Sequence, residues 1–118
     1  MKIDIDRVRI SANGRHQLIQ IKRRTKIDQF NIICRHALMM SLEEESIPPA
    51  EHFEMTGGVE IDWKVFCGGE TGVYMNLLIV RCLSEGREVT QNNIKELLST
   101  HLHRGLSYLN ARSEMIFF

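Results

Sequence analysis

Residues 12–42 read ANGRHQLIQIKRRTKIDQFNIICRHALMMSL and carry two helical patterns separated by a short break. In the first pattern, Leu18 and Ile21 lie three residues apart in a largely polar segment, as on one face of an amphipathic helix. Ser11 precedes this helix and Asp28 precedes the second, and both residue types are good N-caps. The stretch therefore predicts two helices joined by a tight turn.

The second helix carries more apolar side chains than one buried face holds. Its main stripe has helical spacing and consists of Phe30, Ile33, Cys34, Ala37, Leu38 and Leu42. Three further apolar residues, Ile32, Met39 and Met40, lie off that stripe. A helix that is apolar on several sides is buried on several sides. In a chain this short, we expect a second copy of the protein to bury the side that the chain itself does not.

Two short strands are predicted outside the helical pair. In segment 3–10 apolar and polar residues alternate, but the alternation shifts by one residue partway along. This pattern predicts either a bulged strand or a strand limited to Arg7–Ile10. A second alternation exposes Glu60, Asp62 and Lys64, and glycine pairs bracket it as turns. Its apolar positions are Val59, Ile61, Trp63 and Val65.

Two further helices are predicted in the second half of the chain. One spans residues 73–83, and Gly86 follows as its C-terminal stop. Thr90 caps the other, which is predicted to end near Arg104–Gly105 and to be followed by one short helical turn. The predicted fold class is mainly α with minor β: a single, self-associating domain over residues 1–118.

Charge is unevenly distributed although the chain is neutral overall. Basic and acidic residues number 15 each, so net charge does not indicate a partner. Residues 1–36 are mostly basic and residues 43–70 are acidic. Compact basic clusters are typical of phosphate contacts, although a solvated helix surface has the same composition. The densest run, here called the basic run, consists of Lys22, Arg23, Arg24 and Lys26.

The remaining chemistry-bearing residues form no strong motif. Three widely spaced cysteines without a CxxC pair argue against a disulfide framework and favour a reducing compartment. His101 and His103, two residues apart on a helix, diverge, so we expect surface or capping histidines and no metal site. No signal-peptide pattern or membrane-length apolar run is present, so we expect a cytoplasmic protein without a membrane partner.

Three alternatives remain open at this point. Cys34 is a candidate sulfur acceptor, although its place on the apolar stripe favours an inert buried thiol. Glu60 and Asp62 share a strand face, as in a metal-dependent nuclease, although solvated strand faces look the same. Arg7 and Arg9 on a strand before two helices suit a ribbon-helix-helix DNA-binding regulator.

Taken together, several runs of the chain resemble the DndE family of DNA sulfur modification proteins. The resemblance extends in order over nearly the whole chain, and the combination is specific although each run alone is weak. The similar runs are IKRRT (21–25), FNIICR (30–35), ALMMSL (37–42), EIDWKVF (60–66) and HLHRG (101–105), followed by Tyr108 and Leu109.

The resemblance implies a role in bacterial DNA phosphorothioation, which replaces a non-bridging phosphate oxygen with sulfur. It implies a small helical homotetramer, without catalytic centre or cofactor, that binds duplex DNA, preferably nicked, through basic surface residues. Sulfur mobilisation and ATP-driven steps then belong to partner proteins: a cysteine desulfurase, an iron–sulfur protein and an ATPase. We expect the basic run to contact DNA, with secondary contributions from Arg7, Arg9, Arg15 and Lys2.

One position departs from the family pattern. Members usually carry glycine after the Arg-Thr pair, where this chain has Lys26. Glycine suits a left-handed turn, and a lysine there costs about 1 kcal/mol. The lysine also contributes one of the four positive charges of the basic run.

Overall fold

The computed structural model describes residues 2–116, with side chains described for residues 2–112. Within this range the chain forms one two-stranded sheet and five helices, one helix more than the sequence predicts. The fold class, mainly α with minor β, is confirmed. In chain order the elements are β1 (Arg7–Ile10), α1 (Ala12–Thr25), α2 (Phe30–Glu43), β2 (Val59–Asp62), α3 (Trp63–Phe66), α4 (Thr71–Ser84) and α5 (Gln91–Ile116).

Helix α1 begins and buries the residues that its pattern predicts. The hydroxyl of Ser11 accepts the backbone N–H of Gly14 at 2.9 Å, as an N-cap does. Leu18 and Ile21 are fully buried against the rest of the core. The helix ends at Lys26, whose φ of 65° is left-handed and whose N–H donates to the carbonyl of Lys22. The left-handed turn predicted for this position is therefore confirmed.

Replacing Lys26 with glycine is expected to raise the free energy of unfolding by about 1 kcal/mol, because glycine adopts a positive φ without a Cβ clash. Urea denaturation followed by circular dichroism measures this. Lys22→Gly is the matched control, and it is expected to lower the same quantity by about 1 kcal/mol because it lies inside the helix. Equal shifts in the two variants would contradict a left-handed strain at Lys26.

Helix α2 starts without the predicted side-chain cap. Its N-cap residue is Gln29, whose carbonyl accepts the N–H groups of Ile32 and Ile33 and whose side chain makes no capping bond. Asp28 is exposed and lies one residue before the cap. The capping role predicted for Asp28 is wrong because the turn after α1 is one residue longer than the spacing suggested.

Helix α5 does not end at Gly105 but continues to Ile116. A Cβ on Gly105 would lie 1.8 Å from the carbonyl oxygen of Ala37, so the glycine marks a close crossing of α2 and α5. The predicted helix end and the separate tail turn are therefore wrong, because this glycine serves packing. Residues 117 and 118 of the predicted tail lie outside the described residues.

The two strands pair antiparallel, with Arg7 opposite Asp62 and Ile10 opposite Val59. Of the two alternatives predicted for the first strand, the shorter one, limited to Arg7–Ile10, is confirmed. The second strand ends at Asp62, earlier than its alternation predicted, and Trp63 begins the short helix α3. Helical spacing buries both Trp63 and Phe66, which stack with ring centroids 5.7 Å apart, while Val65 stays 53% exposed.

The end of α4 and the start of α5 follow their predicted signals. Gly86 has a φ of 74°, which suits a helix stop. The hydroxyl of Thr90 accepts the N–H of Asn93 at 3.1 Å, so the predicted cap is confirmed. Beyond it, α5 packs along both α1 and α2, which places the outer side of α1 in solvent.

Candidate nucleic-acid interface

Four cations, three in α1 and the fourth at its C-cap Lys26, lie on one side of the helix and face solvent. At 3.6 residues per turn, Arg15, Lys22, Arg23 and Lys26 fall within an arc of about 100° and span about 16 Å of helix axis. All four are exposed. Within residues 2–112 none of them makes an ion pair. We call these four residues the basic face.

The C-terminal end of the basic face borders a shallow groove at the turn between α1 and α2. The groove has a volume of about 320 Å³, and Asp28 contributes the one carboxylate among its lining residues. The ammonium of Lys22 lies 5.7 Å from the ring centroid of Phe30, so its stem is directed towards the start of α2. The groove is therefore a cationic, open surface that suits an extended anion. Its lining residues are Ile19, Lys22, Arg23, Lys26 and Asp28.

Arg24, a member of the basic run, lies on the other flank of α1. Its guanidinium donates to the side-chain oxygen of Asn110 at 2.9 Å and to the carbonyl of the same residue at 3.2 Å. It is half-buried and fastens α1 to α5. The separation of Arg24 from Lys22 and Lys26 follows from the sequence, because residues two positions apart on a helix point about 200° apart.

Arg7 and Arg9 lie on the exposed face of the sheet, beside an acid. Their guanidinium groups bind the two carboxylate oxygens of Glu60 at 3.0 and 3.1 Å. All three side chains are exposed, so the ion pairs add little stability, but they offset part of the positive charge. The structure therefore separates these arginines from the basic face both in position and in net charge.

The histidine expected at the surface or in a cap at position 101 is fully buried. One ring nitrogen of His101 lies 2.7 Å from the hydroxyl of Ser41, and the other lies 2.8 Å from a carboxylate oxygen of Glu85. Burial lowers the pKa of His101, although Glu85 opposes this, so the ring is neutral and donates to the carboxylate. Ser41 is itself fully buried and accepts a bond from Arg104. The Ser-His-Glu arrangement is therefore a structural network that substrate cannot reach.

His103 is also buried, so of the surface or capping role expected for it the surface position is wrong. One of its ring nitrogens accepts the backbone N–H of Ser11 at 3.0 Å, and the other donates to the carbonyl of Ser99 at 2.8 Å. Burial lowers the pKa of His103, which keeps the accepting nitrogen unprotonated. The ring stacks on Phe53 with centroids 3.9 Å apart. His103 thus joins α5 to the start of α1.

The cysteines and acids that suggested catalysis lie in settings that oppose it. Cys34, Cys67 and Cys82 are free and buried, and burial raises the pKa of the Cys34 thiol to about 12. A neutral, enclosed thiol is a poor nucleophile. Both carboxylate oxygens of Glu60 are occupied by arginines. Among the side chains described, no group of three potential ligands is placed to hold a metal ion.

None of the helices in the described part of the chain combines the length and the apolar character needed to cross a membrane.

A family model described as DNA sulphur modification protein DndE matches residues 7–116. The chain belongs to the DndE family. A crystal structure of DndE from Escherichia coli B7A, involved in DNA phosphorothioation modification, superposes with a TM-score of 0.75 at 20% sequence identity. The match covers 92% of this chain and 99% of that one, and at this identity it shows a shared fold. No curated protein matches the chain by sequence.

The DndE match extends from β1 to α5 and so contains the whole basic face. Lys2 lies before the matched region, and it is exposed. The family resemblance found in the sequence is confirmed, and with it membership of a family of DNA sulphur modification proteins.

Proposed function

We propose that this DndE-family protein is a non-catalytic accessory subunit of DNA phosphorothioation that binds duplex DNA through the basic face of α1. The observation that carries the proposal is that these four cations are exposed, share one side of a helix and lack ion pairs with other described residues. Their axial span of about 16 Å matches the rise of about five base pairs. Arg7, Arg9 and Lys2 are secondary contacts, and Arg24 contributes least because Asn110 holds it.

Binding through this face is electrostatic. Lysine and arginine contacts to phosphate release counterions, so affinity falls steeply with salt. Such contacts position a protein on the duplex without reading its bases, so binding is insensitive to sequence. A nick makes the duplex easier to deform, which lowers the cost of fitting nicked DNA to the basic surface without any base contact.

The proposed assembly is a homotetramer. Ile32, Met39 and Met40 of α2 remain partly accessible, and α4 exposes Val80 and Leu83 by 64% and 60%. Apolar surface of this kind is buried efficiently by another copy. Fourfold repetition of the basic face would build one extended cationic surface. A stable monomer at micromolar concentration in analytical ultracentrifugation would contradict the tetramer.

The proposed partners in the cytoplasm are the other phosphorothioation proteins: the cysteine desulfurase, the iron–sulfur subunit and the ATPase. A division of labour with these partners is supported by the enclosed Cys34 and the arginine-bound Glu60, which leave this chain no free nucleophile or carboxylate pair at those positions. Incubating pure protein with supercoiled plasmid and magnesium tests this directly. Conversion of the plasmid to nicked or linear form would contradict a non-catalytic role.

Combined Lys22→Glu and Lys26→Glu substitution is expected to lower affinity for nicked duplex by at least about tenfold and to reduce the salt slope by about two. Gel shifts with nicked, intact and single-stranded DNA at several salt concentrations measure both quantities. The matched control, Lys64→Glu with Lys95→Glu, makes the same charge change at exposed lysines on other elements. An intact oligomer whose affinity and salt slope are unchanged by the first pair would overturn the role of the basic face.

A further inference from the structure

The outer edge of β1 has main-chain groups that no strand covers. The N–H of Trp63 donates to the carbonyl of Asp6 at 2.9 Å, next to the register pair of Arg7 and Asp62. Hydrogen-bonded and non-hydrogen-bonded pairs alternate in an antiparallel ladder, so Val8 bonds to β2 while Arg7 and Arg9 direct their N–H and C=O groups away from it. Within the described residues the sheet contains β1 and β2 alone. The outward groups of Arg7 and Arg9 therefore form an open strand edge.

A cleft of about 570 Å³ runs along this edge, between β1 and the first part of α5. Its lining combines a buried apolar side with a charged rim, which matches the two faces of an extended strand. The charged rim holds three cations, Arg7, Arg9 and Lys95, and two carboxylates, Asp6 and Glu60, so its net charge is positive. The apolar lining residues are Ile5, Val8, Met55 and Leu98.

We propose that this edge binds an extended segment of a partner protein in which apolar residues alternate with aspartate or glutamate. The segment adds to β1 as a third strand, with its main chain bonded to the outward groups of Arg7 and Arg9. Its apolar side chains face Met55 and Leu98, and its carboxylates face the two arginines. Addition of a strand to an exposed sheet edge is a general mode of peptide recognition.

The charges decide between an acidic segment and a second copy of β1. Each arginine already has Glu60 on its β2 side, and a carboxylate on the new side would place an acid on both flanks. Antiparallel pairing of two β1 strands about Val8 would instead set Arg7 opposite Arg9 of the second copy. Like charges directly opposite each other destabilise a strand pair. The edge therefore fits an acidic segment better than it fits itself.

Synthetic peptides test the proposal on the full chain by fluorescence anisotropy. An octapeptide that alternates valine with glutamate is expected to bind saturably, and the same peptide with lysine at the glutamate positions at least about tenfold more weakly. N-methylation of every second backbone nitrogen removes the N–H donors from one edge of the extended peptide. Two such peptides exist, and the one methylated on the edge that faces β1 is expected not to bind. Absence of saturable binding, or equal binding of the acidic and basic peptides, would overturn the proposal.

Two protein variants separate main-chain recognition from charge. Arg9→Ala removes the charge and keeps the outward N–H, whereas Arg9→Pro removes both and leaves the β1–β2 bonds in place, because proline is tolerated on strand edges. Arg9→Pro is expected to bind the acidic peptide about tenfold more weakly than Arg9→Ala. Equal affinity of the two variants, with circular dichroism confirming that both are folded, would overturn strand addition.

Amide hydrogen exchange of the unmodified protein supplies a readout that does not depend on the variants' folding. The amides of Arg7 and Arg9 are expected to exchange rapidly in the free protein and to become protected by the acidic peptide, while Val8 is protected in both states. Unchanged exchange at Arg7 and Arg9 would overturn the proposal. The Lys22→Glu, Lys26→Glu variant is expected to bind the peptide normally, so failure of DNA binding and failure of strand addition are distinguishable.

Discussion

Gly105→Ala is expected to lower the free energy of unfolding by about 3 kcal/mol or more, the upper range for overpacking a core. The added Cβ would lie 1.8 Å from the carbonyl oxygen and 2.4 Å from the carbonyl carbon of Ala37. These are backbone atoms of a buried helix, so no side chain can rotate away to make room. Helices α2 and α5 must separate, which opens the centre of the core.

Gly72→Ala is the matched control, because Gly72 is also helical and a Cβ added there would meet nothing within 4 Å. Alanine there is expected to leave the free energy of unfolding unchanged or to raise it by up to about 1 kcal/mol. Urea denaturation followed by circular dichroism compares the two variants. If both shift the midpoint alike, the close crossing at Gly105 does not exist.

Arg81→Met is expected to lower the free energy of unfolding by about 3–5 kcal/mol, as is usual when one partner of a buried ion pair is removed. The guanidinium of Arg81 binds a carboxylate oxygen of Glu85 at 2.8 Å, and the two side chains are only 12% and 4% exposed. The same guanidinium donates to the carbonyl of Leu42 at 2.8 Å and to that of Glu44 at 2.6 Å. Arg81 thus binds the carbonyl groups at the C-terminal end of α2 and also neutralises a buried acid.

The penalty of Arg81→Met is expected to depend on pH in a defined direction. Burial by itself raises the pKa of Glu85, but hydrogen bonds from His101 and Arg81 outweigh it and hold the pKa below the usual 4.5. In the native protein this stabilisation is present above that value and is lost as pH falls through the lowered pKa. Without Arg81 the pKa of Glu85 rises, so the variant's deficit is largest near neutrality and shrinks under acid conditions.

Urea titrations near neutrality and near the ordinary pKa of glutamate measure this dependence. Arg87→Met is the control, because it removes a hydrogen bond to Asn93 and an ion pair with the 57% exposed Glu96, and such an exposed pair contributes at most about 1 kcal/mol. If Arg81→Met lowers the free energy of unfolding no more than Arg87→Met does, the Arg81 guanidinium is not needed to hold the C-terminal end of α2.

Local signals explain which elements were predicted correctly. Ser11 and Thr90 cap their helices through bonds to residues three positions along, and Gly86 stops a helix through its own φ. Each signal depends on neighbours in the chain, so it is readable without the fold. The basic run is likewise a local feature of the sequence, and the angle between successive helical residues divides it between two flanks of α1.

Some errors occur where the local pattern is compatible with more than one conformation. Asp28 has the right chemistry for a cap, but the turn places Gln29 at that position. Trp63 continues an alternating pattern, yet burying its ring beside Phe66 favours a helical turn over a longer strand. The sequence does not distinguish the exposed Val80 and Leu83 from core residues, because apolar residues occur on the buried and the exposed sides of α4 alike.

The sequence by itself determined the helical class, the two central helices, the main caps and the family, because these depend on periodicity, neighbouring residues and whole motifs. Only the tertiary structure decided that Gly105 is a helix crossing, that Arg24 holds α5 and that His101 and His103 are buried. It also paired Arg7 and Arg9 with Glu60, leaving one edge of their strand open. Each of these roles is set by a contact between residues far apart in the chain, and such contacts exist only once the core has packed.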